Sequence, residues 1–323
     1  MTEYKSKKGK LILGDSLELL SGSMKKRLKG KVDLIITSPP FPLNNKKKYG
    51  NKKGEEYLKW FTDLAPVFSD LLSETGSLVI EIGNSWESGR PVQSLLHLEC
   101  LLALVKHPDA GLNLIQEFIC YNPSKLPSPA QWVTVNRIRT VDSYTHVWWI
   151  AKSDFPKADN SKVLRPYSKS MLRLLKKQEY NSGKRPSEHN ISKKGFLKDH
   201  GGSISHNFFE MEALDGDRDV RLPHSVLSFS NTTSNDYFLK ECRRKKVTPH
   251  PARMSGGLIN FFIEFLTDKN DLVLDPFSGS NTTGYCAEKL KRKWLSFEVE
   301  KSYIKQAVIR FSEPSLKSPI TKK

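Results

Sequence analysis

The sequence predicts an α/β protein: a doubly wound, mostly parallel sheet with one loop-rich insertion. Three observations carry that prediction. Short runs of branched apolar residues alternate with longer stretches of helical apolar spacing, the signature of parallel strands joined by helices. Several runs end in turn chemistry, as in Gly14-Asp15-Ser16, Ser38-Pro39-Pro40-Phe41 and Asp275-Pro276-Phe277-Ser278-Gly279. In such sheets the carboxyl ends of the strands open into a crevice. The alternation stops between about residues 153 and 249 and then resumes.

Leu11-Ile12-Leu13 reads as the first strand, and Asp15 as the N-cap of a short helix over Leu17 to Leu20. Val32 to Ile36 is a buried strand running into Thr37-Ser38-Pro39-Pro40-Phe41. Each proline fixes its own φ and pushes the preceding residue out of the α region, so this exit is extended and stiff. It offers a hydroxyl, carbonyls without competing N–H groups, and a ring, which together can grip a planar amine. Pro42 to Gly54 follows with Lys46, Lys47, Lys48, Lys52 and Lys53 and no acidic residue. Alone it is a solvated loop; beside a site it is a phosphate clamp. Tyr57, Leu58, Phe61, Leu64, Ala65 and Phe68 mark a helix from about Glu55 to Leu72 and read as core.

Ser77 to Ile82 is the next strand, Gln93 to Val105 a helix, and Phe118 to Tyr121 a strand ending in Asn122-Pro123-Ser124-Lys125-Leu126-Pro127-Ser128-Pro129. Val147 to Ala151 completes this half. From Ser153 to Thr248 periodicity fades and only Pro166 to Lys177 is strongly helical. Residues 155–249 carry 19 Lys and Arg against 11 Asp and Glu, a basic, loop-dominated subdomain, with Glu210 to Asp219 as an acidic surface loop. A helix from about Gly257 to Leu266 restores the pattern. The strand Asp271 to Asp275, a helix over Thr283 to Leu290, the strand Lys293 to Phe297 ending at Glu298, and a helix from Lys301 to Phe311 follow, with a loose polar tail from Ser312.

Composition bounds the partners. The 323 residues hold 52 Lys and Arg against 35 Asp and Glu, a net charge of +17, which points to a polyanion. Nucleic acid is preferred to an anionic membrane, because no long basic amphipathic helix is visible. No apolar run approaches the length of a membrane span, and the polar start shows no secretory signal. Cys100, Cys120, Cys242 and Cys286 are scattered without a CxxC pair, which fits a reducing cytoplasm and argues against a disulfide framework or a metal site.

Leu272 to Gly284 reads as strand, tight turn and helix. Small residues there let backbone N–H groups approach a ligand at a helix N-terminus. Glu298 ends the next strand, where an acid can accept both hydroxyls of a ribose. The pattern implies an adenosine-type ligand. Gly279 and Gly284 lack the Lys-Ser/Thr that completes a P-loop, and GxGxxG is absent.

Asp-Pro-Phe-x-Gly-x-x-x-Thr-x-Gly together with an earlier Ser-Pro-Pro-Phe resembles the signature of S-adenosylmethionine-dependent DNA amino-methyltransferases, in the permuted motif order of their beta group. The likeness is nearest to N4-cytosine modification methylases of the PvuII type. It extends through Gly14 to Leu20, Asn122 to Pro129, Val147-Trp148-Trp149, His250-Pro251-Ala252-Arg253 and Ser280 to Gly284. Parts of the insertion, residues 208 to 224 above all, depart from it.

The resemblance implies a methyltransferase fold with circularly permuted motifs, S-adenosylmethionine as cofactor and double-stranded DNA as partner. A cognate restriction endonuclease would act independently. Residues 1–152 would be the catalytic part, 153–249 the target-recognition region, 250–311 the cofactor-binding part and 312–323 a tail. Ser38, Pro39, Pro40 and Phe41 would be the catalytic tetrapeptide and Tyr121 would line the target-base pocket. Asp275, Phe277 and Gly279 would shape the methionine and ribose pocket. Glu298 would bind the ribose, Asp15 the adenine edge, and His250, Pro251, Ala252 and Arg253 the methionine end. The cysteines follow Glu99, Ile119, Glu241 and Tyr285, not the proline that precedes the covalent cysteine of C5-methylases. The rivals are N6-adenine methylation and a non-catalytic DNA-binding protein on the same fold.

Overall fold

The computed structural model describes residues 2–41, 52, 54–192, 195–212, 227–230, 237–250 and 252–314. In chain order its strands are β1 (Thr2–Lys5), β2 (Gly9–Leu13), β3 (Val32–Thr37), β4 (Leu72–Gly83), β5 (Asn113–Tyr121), β6 (Tyr144–Ala151), the two-residue pair β7 (Gly183–Lys184) and β8 (Asn190–Ile191), β9 (Phe208–Glu212), β10 (Leu227–Ser230), β11 (Leu272–Asp275) and β12 (Lys293–Glu298). The helices are α1 (Ser16–Ser21), α2 (Lys25–Leu28), α3 (Gly54–Leu71), α4 (Leu96–Val105), α5 (Lys169–Lys177), α6 (Tyr237–Arg244), α7 (Gly256–Leu266), α8 (Thr282–Lys289) and α9 (Lys301–Arg310).

Among the described residues ten strands form one sheet in the order β1-β2-β12-β11-β3-β4-β6-β5-β9-β10. Its centre, β2-β12-β11-β3-β4, is wholly parallel. β6 runs antiparallel between β4 and β5, and β1 is an antiparallel edge. The sheet therefore lays β11, from the end of the chain, against β3, from its beginning.

Period-two alternation explains why both faces are covered. In β3, Ile35 packs with Tyr57, Phe61, Leu64 and Phe68 of α3, whereas Leu34 and Ile36 pack with Phe262 and Ile263 of α7. A strand whose consecutive Leu34, Ile35 and Ile36 are all apolar and buried needs helices on both sides, and this one has them. The helical spacing that begins at Tyr57 is the stripe α3 turns inward.

The insertion is tied into the sheet more closely than its composition implies. Residues 208–212 were expected in or beside a surface loop; instead β9 pairs in parallel with the end of β5, with Ile119 opposite Phe208 and Tyr121 opposite Glu210. Phe209 stacks on Phe118 at 5.3 Å and meets Phe262 edge-on at 6.0 Å, which buries it completely. Two adjacent aromatic residues outweigh the acids after them, and Glu210 is carried into a buried position. Residues 213–219 of that acidic patch lie outside the described residues. The helix α6, unread in the sequence, packs Phe238 and Cys242 against Ile309 of α9. The short edge strand β1 was also unread.

If β9 is part of the main cooperative unit, Phe209→Ala should lower stability by about 3–5 kcal/mol. Calorimetry should show one transition at lower temperature. An unchanged main transition would mean that the insertion melts on its own.

Candidate active site

Thr37, just before the tetrapeptide, and Asp275, at the start of the glycine turn, lie 238 positions apart in sequence and are hydrogen-bonded. Thr37, the last residue of β3, donates from its hydroxyl to Oδ1 of Asp275, the last residue of β11, at 2.8 Å. The same oxygen accepts the Phe277 backbone N–H at 3.1 Å, and the Thr283 hydroxyl donates to the carboxylate as well. Burial pushes the Asp275 carboxyl up to about 6, against the pull of these three donors.

A cavity of about 570 Å³ opens over these strand ends. Ser38, Pro39, Pro40 and Phe41 form one wall. Pro39 is buried, and Ser38, Pro40 and Phe41 are half-buried. Phe41 lies against β4 because Gly83 has no side chain: a Cβ there would come within 2.9 Å of the ring.

Asp275, Phe277, Gly279 and Glu298 form another part of the wall. Gly279 has φ +51°, and its N–H donates to Glu298 Oε2 at 2.8 Å, while Glu300 N–H donates to Oε1 at the same distance. Burial raises the proton affinity of Glu298; the Glu300 and Gly279 N–H groups oppose it, and nearby Asp275 reinforces it. The Gly14 N–H donates to the Glu298 carbonyl at 3.0 Å, which draws the end of β2 to the end of β12. Asp15 is thereby set on the cavity rim, exposed, with Oδ1 capping α1 through Glu18 N–H at 3.1 Å.

His250, Ala252 and Arg253 also line the cavity. The His250 ring sits over Gly279, where a Cβ would approach Nε2 to 3.3 Å, and meets Tyr303 edge-on at 4.3 Å. Its backbone N–H donates to Gln306, and its Nδ1 lies against the Ala252 carbonyl and N–H. Arg253 stands 5.6 Å from the Phe238 ring, with Nη1 buried and without a hydrogen-bond partner among the described residues. Pro251 lies outside the described residues, as do Lys46, Lys47, Lys48 and Lys53. Lys52 lines the cavity and pairs with Glu56 at 2.8 Å.

Tyr121 is placed elsewhere. It is half-buried, stacks on Phe208 at 6.3 Å and is not among the residues lining the cavity. Its neighbour Cys120 lines the cavity, as does Tyr144, paired with Tyr121 in the β5–β6 ladder.

Further lining residues carry no site assignment in the sequence, among them Tyr57, Trp60 and Glu81. Tyr57 and Trp60 of α3 reach the cavity; the Tyr57 hydroxyl is buried without a partner, and Trp60 packs on Phe277 at 5.4 Å. Glu81 of β4 is buried in the wall and accepts from the Thr145 hydroxyl at 3.1 Å. Burial lifts its carboxyl to about 7, with Thr145 and Lys125 opposing. A lone acid within Leu78-Val79-Ile80-Glu81-Ile82 was a visible signal for it. Among the described residues no cluster of His, Cys, Asp and Glu could hold a metal ion. None of their helices is long and apolar enough to cross a membrane.

The model of a family described as DNA methylase matches residues 32–309. The chain belongs to that family. It is 38% identical over 315 residues to the type II methyltransferase M.PvuII of Proteus hauseri, covering 97% of this chain and 86% of that protein. The type II methyltransferase M.BglII of Bacillus subtilis is 24% identical over 276 residues, covering 84% of this chain and 61% of that one. Among solved structures, the cytosine-N4-specific PvuII DNA methyltransferase superposes with a TM-score of 0.72 at 33% identity, over 97% of this methylase and 89% of that chain. A Thermus thermophilus protein described as a DNA modification methylase, solved with S-adenosyl-L-methionine, shares the fold at a TM-score of 0.53 and 16% identity, covering 94% and 92% of the two chains.

Glu81 makes the stability of this methylase depend on pH. Its folded pKa of about 7 exceeds the 4.5 of the free group, so the folded state binds the extra proton. Its contribution is fully present below the unfolded value and is lost as pH rises through the folded one. Relative to Glu81→Gln, the native protein should lose up to about 3 kcal/mol between pH 4.5 and 8. Urea unfolding of both proteins across that range measures it, and parallel curves would place the carboxylate in solvent.

Proposed function

We propose that this methylase transfers a methyl group from S-adenosylmethionine to the N4 amine of a cytosine rotated out of duplex DNA, as the modification enzyme of a restriction system. The observation that carries the reading is a shared cavity. The Ser38–Phe41 wall and the Asp275–Gly279–Glu298 wall face one space, so an amine on one and an adenosine on the other can meet.

The residues fit the cofactor. Glu298 presents a buried carboxylate to ribose hydroxyls beside Gly279, whose missing Cβ lets the His250 ring pack over the turn. Asp15 on the rim is assigned to the adenine edge. Arg253 Nη1, buried and unpaired, is a donor for a methionine carboxylate, flanked by His250, Pro251 and Ala252. The bound cofactor supplies an electrophilic methyl on a sulfonium.

The chain's own residues prepare the nucleophile. A cytosine amine in a duplex is paired and stacked, and rotating it out costs a few kcal/mol. Stacking against Phe41, of order 1–3 kcal/mol, offsets that cost. The amine lone pair is delocalised into the ring. Hydrogen bonds from the amine to the Ser38 hydroxyl and the Pro39 carbonyl favour a pyramidal nitrogen and expose the pair. Ser38 is an acceptor here, not a covalent nucleophile. Tyr144 takes the edge first assigned to Tyr121. Residues 153–249 supply target recognition, and Lys46, Lys47, Lys48, Lys52 and Lys53 supply contacts to phosphate that carry no sequence information.

Glu298→Ala should weaken S-adenosylmethionine binding at least tenfold by calorimetry, and unchanged affinity would remove the ribose assignment. Ser38→Ala should keep cofactor and DNA affinity within about twofold while turnover falls a hundredfold or more, since it removes an interaction made mainly in the transition state. Mass spectrometry of nucleosides from methylated DNA should show N4-methylcytidine. N6-methyladenosine in its place would refute the assigned base.

A further inference from the structure

β5 and β6 both end at the cavity, and the chain between them, residues 122–143, leaves from its rim. Asn122 and Lys125 at one root and Tyr144 at the other line the cavity itself. The arm is held firmly at its base. Asn122 N–H donates to the Ser143 carbonyl at 2.7 Å, and Asn84 donates to Asp142 at 2.9 Å. The Arg139 guanidinium lies 3.5 Å over the Trp86 ring and donates to the Pro91 carbonyl.

Beyond these roots the arm keeps its own internal order. A single wide turn at Gln131–Val135 is closed by Asn136 N–H to the Gln131 carbonyl at 2.8 Å. Ile138 N–H returns to the Trp132 carbonyl at 3.0 Å, and Thr134 caps back to Ala130 at 2.7 Å. Arg137 holds φ +54°, a left-handed conformation that a non-glycine residue adopts only when its surroundings impose it.

The side chains this scaffold presents are apolar. Leu126 is 81% exposed, Val135 73% and Ile138 60%. Scattered exposed apolar residues are ordinary, but three on one preorganised arm at the mouth of a cavity are a patch that needs an occupant. The cationic residues on the arm are Lys125, Arg137 and Arg139, and its one acid, Asp142, is engaged with Asn84. Apolar tips on a cationic stem complement duplex DNA, whose stacked bases are apolar between two rows of phosphates.

We infer that this arm enters the duplex beside the target cytosine, where Leu126, Val135 and Ile138 occupy the space the rotated base leaves and Arg137 contacts the adjoining phosphate. The inference rests on the reading that a flipped base enters the cavity. Apolar side chains wedged between base steps stabilise unstacked DNA in other settings by the same exclusion of water. An arm already ordered without DNA does so at little further loss of entropy.

The test uses the full chain and a duplex carrying the sequence it methylates, read from modified DNA of an expressing host. Leu126→Ser and the double variant Val135→Ser/Ile138→Ser remove exposed apolar atoms only, so both should fold and bind S-adenosylmethionine like the native protein. On the paired duplex their turnover should fall at least tenfold. On a duplex with an abasic site opposite the target, where no pair has to be opened, turnover should return to within about threefold of native. Turnover unchanged on the paired duplex, or reduced equally on both, would overturn the role of the arm while leaving the methyltransferase reading intact. Native protein that methylates neither duplex would overturn both.

Discussion

The hydrogen bond from Thr37 to Asp275 is the contact on which the site depends. It joins the ends of two adjacent parallel strands contributed by opposite ends of the chain, and each strand continues into one half of the chemistry. Thr37 leads into Ser38-Pro39-Pro40-Phe41, and Asp275 leads into Phe277, Ser278 and Gly279. A buried carboxylate is costly unless donors surround it, so Asp275 is stable only where Thr37, Thr283 and the Phe277 N–H converge. That requirement fixes the relative position of the two turns. Two rigid exits then frame one cavity without a flexible linker between them.

The permuted order of the motifs is harmless for the same reason. Strands meet by lateral pairing, not by sequence, and β11 finds β3 through Val273 beside Leu34 and Leu274 beside Ile35. Glu298 is set by the neighbouring pair, β12 against β2, whose register places Glu298 beside Leu13 and so brings Asp15 to the rim. Ser38, Asp275, Glu298 and Asp15 lie at or just beyond strand ends, where backbone groups leave the ladder and become available to a ligand.

Much of this was legible in the sequence, and the failures have physical causes. The apolar runs located the sheet, and the proline and glycine turns located the site, because those residues restrict the backbone locally. Tyr57 reads as core and Trp60 carries no assignment, since helical periodicity reports which face turns inward and cannot separate packed core from cavity wall. The family resemblance puts Tyr121 in the pocket, but a match of residue types does not fix what a side chain packs on: Tyr121 stacks on Phe208 while Cys120 and Tyr144 line the cavity. β9 was hidden because its partner, β5, lies in another part of the chain. Long-range pairing with Ile119 and Cys120, absent from any local window, makes Phe208–Glu212 a strand.

The cavity is electrostatically divided, and the division matches the two ligands proposed for it. Its floor holds Asp275, Glu298 and Glu81, all with proton affinities raised by burial, and Glu298 further raised by its neighbour Asp275. Its rim holds Lys52 and Lys125. Carboxylates crowded in low dielectric are relieved by a nearby cation, because Coulomb attraction there is screened far less than in water. The sulfonium of a bound S-adenosylmethionine would supply such a cation beside these acids. The cations on the rim face the phosphates that accompany a base. A neutral adenosine with the same shape would satisfy the ribose contacts and leave the floor's charge unrelieved, so the site distinguishes the charged donor from the uncharged nucleoside by electrostatics as well as fit.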